Sequence, residues 1–114
     1  MSLSIVDESQ GETLVVRLQG RLDTLTAKSF ETHLASHIGR GQKRIIVDLG
    51  EVDYISSYGL RVFLLTAKQL RADRLGFILC RLTPDVKKIF QISGFDKILV
   101  IQPTLEDAVA MASR

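Results

Sequence analysis

Two adjacent serines, Ser56 and Ser57, have the sequence context best suited to chemistry. An uninterrupted β-branched run at 45–47 predicts a buried strand before them, and the polar, Gly-containing stretch 48–53 predicts a break after that strand. From Leu60 onward the apolar residues follow a helical period. A serine at such a strand-to-helix switch caps the helix and lies at the positive end of the helix dipole. Backbone N–H groups at that end could receive a phosphate carried by the serine.

Ser57 is also a candidate catalytic nucleophile. A nucleophile elbow needs glycine two residues before and two residues after the serine, because the turn is strained. Gly59 satisfies the second requirement, but Ile55 occupies the first position. A small hydrolase is therefore the least favoured hypothesis.

The two histidines, His33 and His37, have the i, i+4 spacing that would allow them to share a metal ion. No glutamate follows either histidine in the H-E-x-x-H arrangement. Without it, a chance pair at the edge of an amphipathic helix is the favoured interpretation. The chain also lacks the glycine-rich phosphate and dinucleotide fingerprints. The sequence thus predicts no metal site and no cofactor, and a binding module rather than an enzyme.

The composition predicts one small domain. The chain has 114 residues, 46% of them hydrophobic, which is enough for one core spanning 1–114. Its net charge is +2 with acids and bases interspersed, so no basic stripe for nucleic acid is predicted. Cys80 lies in an apolar run and is expected to be a buried hydrophobe. No leader or membrane span is recognised, and we expect a cytoplasmic protein without membrane insertion.

Strands and helices are predicted to alternate along the chain, which indicates an α/β fold with a mixed, mostly parallel sheet, an N-terminal hairpin and about four helices. The predicted strands are 3–7, 13–19, 45–47, 77–81 and 97–101, and a turn is predicted at 73–76. The predicted helices begin after Asp23 or Thr24, at Ser56-Ser57, at Pro84 with Thr83 as cap, and at Pro103 with Thr104 as cap.

The helix that begins at Ser57 carries two apolar strips. One strip is expected to pack on the sheet: Leu60, Phe63, Leu64, Ala67 and Leu70. The other either packs against more of the same protein or, as we expect, contacts a partner: Tyr58, Val62 and Leu65. Anchors at this spacing are typical of a helix that docks in a groove.

The segment from Asp48-Leu49 through Val52 to Tyr54-Ile55-Ser56-Ser57-Tyr58-Gly59-Leu60 resembles the signature of the STAS domain, the sulfate-transporter and anti-sigma-factor-antagonist fold. It is most similar to the free-standing bacterial anti-sigma factor antagonists. The turn Gly20-Arg21-Leu22-Asp23 and the pattern Val86, Phe90, Gly94 also match that family, so the resemblance spans essentially the whole chain.

The resemblance implies that Ser57 is the serine phosphorylated by a partner kinase. Ser56 stands where the family usually has Asp, and Tyr58 stands where it has a second Ser or Thr. The implied partners are an anti-sigma factor that is itself a serine kinase, and a serine phosphatase that reverses the modification. The surface expected to contact the partner comprises Asp23, Thr24, Ser56, Ser57, Tyr58, Gly59, Val62 and Leu65.

Two other roles remain open within the same family. One is a STAS subunit that docks on an ABC-type lipid-transport ATPase and is regulated without phosphorylation. The other is a constitutive antagonist that is never phosphorylated. The sequence predicts neither the sigma factor nor the oligomeric state.

Overall fold

Five strands and four helices alternate in the part of the chain that the computed structural model describes, residues 3–70 and 75–114. In chain order they are β1 Leu3–Gln10, β2 Thr13–Leu22, α1 Thr24–Gly39, β3 Arg44–Ile55, α2 Ser57–Gln69, β4 Phe77–Cys80, α3 Pro84–Ser93, β5 Val100–Gln102 and α4 Leu105–Ala112, with a 3₁₀ turn at Phe95–Lys97.

The strands form one mixed sheet in the order β1-β2-β3-β4-β5. The β1–β2 pair is an antiparallel hairpin and the remaining pairs are parallel, as the sequence predicted. Because each right-handed crossover steps in the same direction, α1, α2 and α3 all cover one face. The other face carries a smaller apolar cluster with α4.

The main core lies between the sheet and the three helices α1, α2 and α3. Phe63 is fully buried at its centre, with ring centroids 5.5 Å from Phe30, 5.8 Å from Phe90 and 6.3 Å from Phe77. Helix α1 contributes Ala27, Phe30 and Leu34, which are all buried, and Ile38, which is partly buried. This core holds the starts of the helices in fixed positions.

The predicted break after Val47 is wrong, because β3 continues through Gly50 to Ile55. The strand pairs with β2 as far as Leu22, and two register shifts place extra residues in β3. These bulges change the alternation, so that Val52 and Ile55 still face the main core. Glycine and exposed polar residues suggested a loop, whereas the long neighbouring strand keeps the segment extended.

Asp48 is the buried polar residue of this strand, with 3% exposure. Its carboxylate accepts hydrogen bonds from the backbone N–H of Gly50 at 2.9 Å and from the Arg81 guanidinium at 3.0 Å. Arg81 has a φ of 60° and its guanidinium lies over Gly50, where a Cβ would approach it within 2.5 Å. This pairing explains why a carboxylate is tolerated inside the sheet.

The C-terminal half follows the predicted order with shifted ends. Strand β4 ends at Cys80, and burial raises the pKa of that thiol to about 12, so Cys80 is an inert buried residue. Strand β5 begins only at Val100. The predicted turn at 73–76 falls partly outside the described residues. Among the residues that are described, no helix has both the length and the apolar character needed to cross a bilayer.

Candidate functional site

Three helices begin side by side at one edge of the sheet. Their N-cap residues are Asp23 after β2, Ser56 after β3 and Thr83 after β4. The backbone N–H of Ser56 donates to the carbonyl of Leu22 at 2.8 Å, and the Thr83 hydroxyl donates to the carbonyl of Val52 at 3.1 Å. The positive ends of three helix dipoles therefore lie at the same edge, which is where parallel sheets commonly bind ligands.

The two serines have different roles in this structure. The Ser56 Oγ accepts a hydrogen bond from the backbone N–H of Gly59 at 3.2 Å, so Ser56 is the helix cap. Ser57 is the first residue of α2 and is exposed. A modifying enzyme can therefore reach the Ser57 hydroxyl, and phosphorylation at this residue stays a prediction.

Asp23 closes a capping box at the start of α1. Its Oδ1 accepts from the backbone N–H of Thr26 at 2.9 Å, while the Thr26 Oγ1 accepts from the backbone N–H of Asp23 at 2.9 Å. The hydrogen bond from the Thr26 backbone lowers the pKa of Asp23, so this carboxylate is ionised at neutral pH. Thr24 is the first residue of the helix and is exposed. The structure thus brings Asp23 and Thr24 to the same edge as Ser56 and Ser57.

Tyr58 is half-buried and joins α2 to α1. Its hydroxyl donates to the Glu31 Oε1 at 2.6 Å, and its ring packs against the main core. The Lys28 Nζ lies 6.0 Å from the ring centroid. The hydrogen bond to Glu31, together with partial burial and the carboxylate charge, raises the pKa of the phenol above its ordinary value. Tyr58 therefore links the start of α2 to α1.

We expect Glu31→Gln to lower the pKa of Tyr58, because a neutral amide does not repel the phenolate. Titration of the phenolate absorbance in a Tyr54→Phe background would follow Tyr58 without the other tyrosine. Since the folded pKa is raised, the stability contributed by this proton is complete below the unfolded value of about 10 and is lost as pH rises through the folded value. An unchanged Tyr58 titration in Glu31→Gln would contradict this assignment.

The predicted partner strip is wrong at Val62, which is only 1% exposed. The buried face of α2 consists of Gly59, Val62, Phe63 and Thr66, so it lies between the two predicted strips. One side of this face packs on the sheet and the other side packs against α1. Packing of this strip within the fold was the alternative that the sequence left open, and it holds for Val62.

Gly59 is also buried, and its missing side chain serves the protein's own packing. A Cβ at this position would come within 2.9 Å of the Ile55 Cγ2 and 3.5 Å of the Leu22 carbonyl oxygen. The burial of Gly59 contradicts its expected place on the surface that contacts the partner. Its role is to let α2 begin directly above the ends of β2 and β3.

Leu65 is the exposed member of the strip, with 40% exposure. It borders a shallow groove of about 360 Å³ between α1 and α2, which Glu31, Leu34 and Ala35 line from the α1 side. In the other predicted strip, Leu60, Leu64 and Ala67 are only partly buried. The groove and the helix starts are the two parts of the candidate docking surface.

Two exposed apolar residues near this edge were not predicted. Leu25, in the first turn of α1, is 77% exposed, and Tyr54, near the end of β3, is 37% exposed with the Arg21 guanidinium 4.4 Å from its ring centroid. Leu25 does not lie on the helix face that carries the buried residues Ala27, Phe30 and Leu34. This position in the helical period could have predicted its exposure. Leu25 directly follows Thr24, so it adds an apolar side chain to the exposed surface at the helix starts.

The family model for the STAS domain matches residues 4–108, so this chain belongs to the STAS domain family. The α/β fold, with its mixed five-stranded sheet and four helices, confirms the fold class predicted from the sequence.

Individual members of the family are similar over nearly the whole chain. BtrV of Bordetella bronchiseptica, assigned as an anti-sigma factor antagonist, is 44% identical over 85% of this chain and 84% of its own. An anti-sigma factor antagonist from Mycobacterium paratuberculosis is 25% identical, with a TM-score of 0.90 over 99% of this chain and 96% of its own.

The Bacillus protein SpoIIAA is similar in two states. Its phosphorylated form is 27% identical, with a TM-score of 0.71 over 94% of this chain and 97% of its own. The unphosphorylated form, an anti-sigma factor antagonist, is 26% identical, with a TM-score of 0.81 over 96% of each chain.

Proposed function

We propose that this protein is an anti-sigma factor antagonist whose binding to an anti-sigma factor is switched by phosphorylation of Ser57. The observation that carries the proposal is the exposed Ser57 hydroxyl at the first position of α2, in a STAS domain 44% identical to BtrV. The similarity to SpoIIAA in both phosphorylated and unphosphorylated forms supports the switch. The relatives reported above are named for a regulatory binding role and not for an enzymatic one.

The proposed contact surface has two parts. The helix starts supply Asp23, Thr24 and Ser57, with Leu25 exposed beside them. Helix α2 supplies Tyr58, whose hydroxyl bonds to Glu31, and Leu65, which borders the groove between α1 and α2. Buried residues Gly59 and Val62 support this surface from beneath, and Ser56 holds the helix start through its cap.

Phosphorylation would act on the complex and not on the fold. A phosphoserine adds about −1.5 to −2 charges, which helix N–H groups and the helix dipole favour at the start of α2. The partner surface would then meet this charge together with the ionised Asp23, and would have to desolvate both. Charge repulsion and the cost of desolvating these charges would release the anti-sigma factor, while the free domain stays folded.

The chain contributes only the acceptor in this cycle. The anti-sigma factor kinase would supply ATP and Mg²⁺ and transfer the γ-phosphoryl group to the Ser57 oxygen, with ADP as the leaving product. A serine phosphatase would return the hydroxyl by hydrolysis. The transporter-subunit hypothesis gains no support from the similar proteins, because those reported above are named anti-sigma factor antagonists.

The direct test is incubation with the anti-sigma factor kinase of the same organism and ATP, followed by mass spectrometry of the peptide around Ser57. We expect one phosphate per chain on Ser57 and none in Ser57→Ala. The matched control is Ser56→Ala, which removes the neighbouring hydroxyl but keeps the acceptor. Phosphate on Ser56, or no phosphorylation of a chain that binds the kinase, would overturn the switch.

Charge placed on the exposed leucines is expected to weaken the complex. Leu25→Glu and Leu65→Glu should each reduce affinity for the anti-sigma factor at least about tenfold, because a carboxylate must be desolvated in an apolar contact. Their circular dichroism spectra should stay native, since both side chains are exposed. Isothermal titration calorimetry with the partner measures the change.

The matched control is Ile92→Glu, which changes an even more exposed apolar residue on α3, at 81% exposure, outside the proposed surface. This variant should bind normally. Equal losses in all three variants would mean that charge, and not the surface, governs binding. Loss of the native spectrum in Leu65→Glu would show that this side chain belongs to the core.

A further inference from the structure

Three potential metal ligands converge at a second place on the molecule, between β1 and α1. The His33 Nε2 lies 2.8 Å from the Asp7 Oδ1, and the His37 Nε2 lies 2.8 Å from the Asp7 Oδ2. One ligand atom from each residue lies within 4.8 Å of the other two. The sequence supplied the histidine pair, but the carboxylate comes from 26 residues earlier in the chain.

The fold explains this convergence. In β1, Leu3 and Ile5 pack against the main core, and Asp7 is the next residue on the same face of the strand. His33 and His37 are one turn apart on α1, and their rings meet edge-on with centroids 4.9 Å apart. Both imidazoles are therefore aimed at the strand and not at solvent.

We propose that Asp7, His33 and His37 form a binding site for a divalent transition-metal ion, with zinc as the best-suited metal. Two imidazole nitrogens and one carboxylate are a ligand set that zinc accepts, with water in the fourth position. The ion takes the place of the direct contacts between the carboxylate and the two Nε2 atoms, which already hold the three ligands together.

Tetrahedral zinc, with bonds of about 2.0–2.1 Å, separates its ligand atoms by about 3.3 Å. The Asp7 Oδ2 lies 3.0 Å from the His33 Nε2 and 2.8 Å from the His37 Nε2, so these two contacts must open by a few tenths of an ångström. The three ligand atoms lie within 4.8 Å of one another, so rotation of the side chains has to bring the two imidazole nitrogens to the same spacing. The side chains are 29%, 29% and 18% exposed for Asp7, His33 and His37, so an ion can enter yet is partly shielded from water.

Arg40 is the charged neighbour of the site. Its Nη2 lies 3.5 Å from the His37 Nδ1, the nitrogen that must carry the proton when Nε2 binds a metal. The exposed arginine therefore turns away on binding. Arg40→Gln should leave the three ligands intact and tighten zinc binding, because it removes a positive charge next to a ligand.

A metal here would fasten an edge strand. Beyond Ile5, every residue of β1 is exposed, so the outer half of the strand has few apolar anchors. An ion bridging Asp7 to α1 would add a contact between the hairpin and the helix layer. The site is separate from Ser57, because α1 extends from Thr24, beside the serine edge, past His33 and His37 near its other end.

The test is zinc titration of the untagged full chain by isothermal titration calorimetry, with Co²⁺ absorbance as a probe of coordination. We expect one ion per chain and a melting temperature that rises with zinc concentration. Asp7→Asn, His33→Gln and His37→Gln should each weaken binding at least about tenfold.

The matched control is Glu8→Gln, which neutralises the adjacent carboxylate of the same strand, one that pairs with Arg17 at 3.0 Å. This variant should bind zinc as the native chain does. Absence of saturable binding would overturn the proposal, and would leave the cluster as an ordinary histidine–carboxylate contact. Equal loss in Glu8→Gln, or binding that survives all three ligand substitutions, would overturn it too.

Discussion

Ser57→Asp is expected to weaken binding to the anti-sigma factor by about a hundredfold or more without destabilising the fold. The substitution places a permanent negative charge at the first position of α2, beside the capping carboxylate of Asp23. A like charge brought against a partner surface costs several kcal/mol, whereas a helix N-terminus favours it by about 0.3–1 kcal/mol. Binding and stability are thus expected to respond in opposite directions.

Calorimetry of the complex and thermal unfolding of the free variant measure these two responses. Ser57→Ala should bind as the native chain does, because it removes the acceptor without adding charge. Ser9→Asp is the matched control, since it adds the same charge at an exposed position near the hairpin turn. If Ser57→Asp bound the anti-sigma factor as tightly as Ser9→Asp, phosphorylation at this position could not be the switch.

Phe63→Ala is expected to be the most destabilising single truncation on α2. The side chain is fully buried, and its ring contacts three other phenylalanines from α1, β4 and α3. Removing a buried phenylalanine costs about 3–5 kcal/mol, because burial energy is lost and a cavity remains. A domain of this size is stable by only about 5–15 kcal/mol, so the substitution would remove a large fraction of the free energy of unfolding.

Urea unfolding measures the loss as a lower midpoint with an unchanged slope. Ile92→Ala is the control, because it truncates an apolar helix residue that is 81% exposed and should change stability by less than about 0.5 kcal/mol. A loss below about 1 kcal/mol in Phe63→Ala would show that the helices repack over the gap. The same variant should lose partner binding only in proportion to its unfolded fraction.

Local signals predicted most of the architecture. Helix caps were predicted at Asp23 or Thr24, at one of the two serines, at Thr83 and at Thr104, and the structure has them at Asp23, Ser56, Thr83 and Thr104. They could be predicted because a cap is a contact between residues three positions apart. Gly94, which follows α3, adopts a φ of 78°, a conformation that glycine takes without strain. The alternation of strand and helix periods was enough to predict the fold class.

The ends of strands β3 and β5 were predicted wrongly, because they depend on neighbouring elements of the fold. β3 is longer than predicted because it pairs with a long β2, although its own residues 48–53 resemble a turn. Strand β5 starts at Val100, after a 3₁₀ turn that its apolar residues did not indicate. Strand ends are set by the partner strand, and the sequence of one strand does not contain that information.

The candidate site divides in the same way. The exposure of Ser57 could be predicted, because Ser57 is the first helical residue after the cap. The burial of Val62 and Gly59 does not, because two sides of α2 are apolar and only the placement of α1 and the sheet selects which residues they cover. The convergence of Asp7 with the histidines likewise needs the hairpin to lie beside α1.

The amino-acid sequence by itself determined the order of strands and helices, where each helix begins, and the serine that begins α2. These features are written in residues only a few positions apart, where backbone geometry and capping act. Only the tertiary structure decided which apolar residues remain on the surface and which side chains meet across the fold. Burial and long-range contact depend on how separate elements pack, and that is a property of the whole domain.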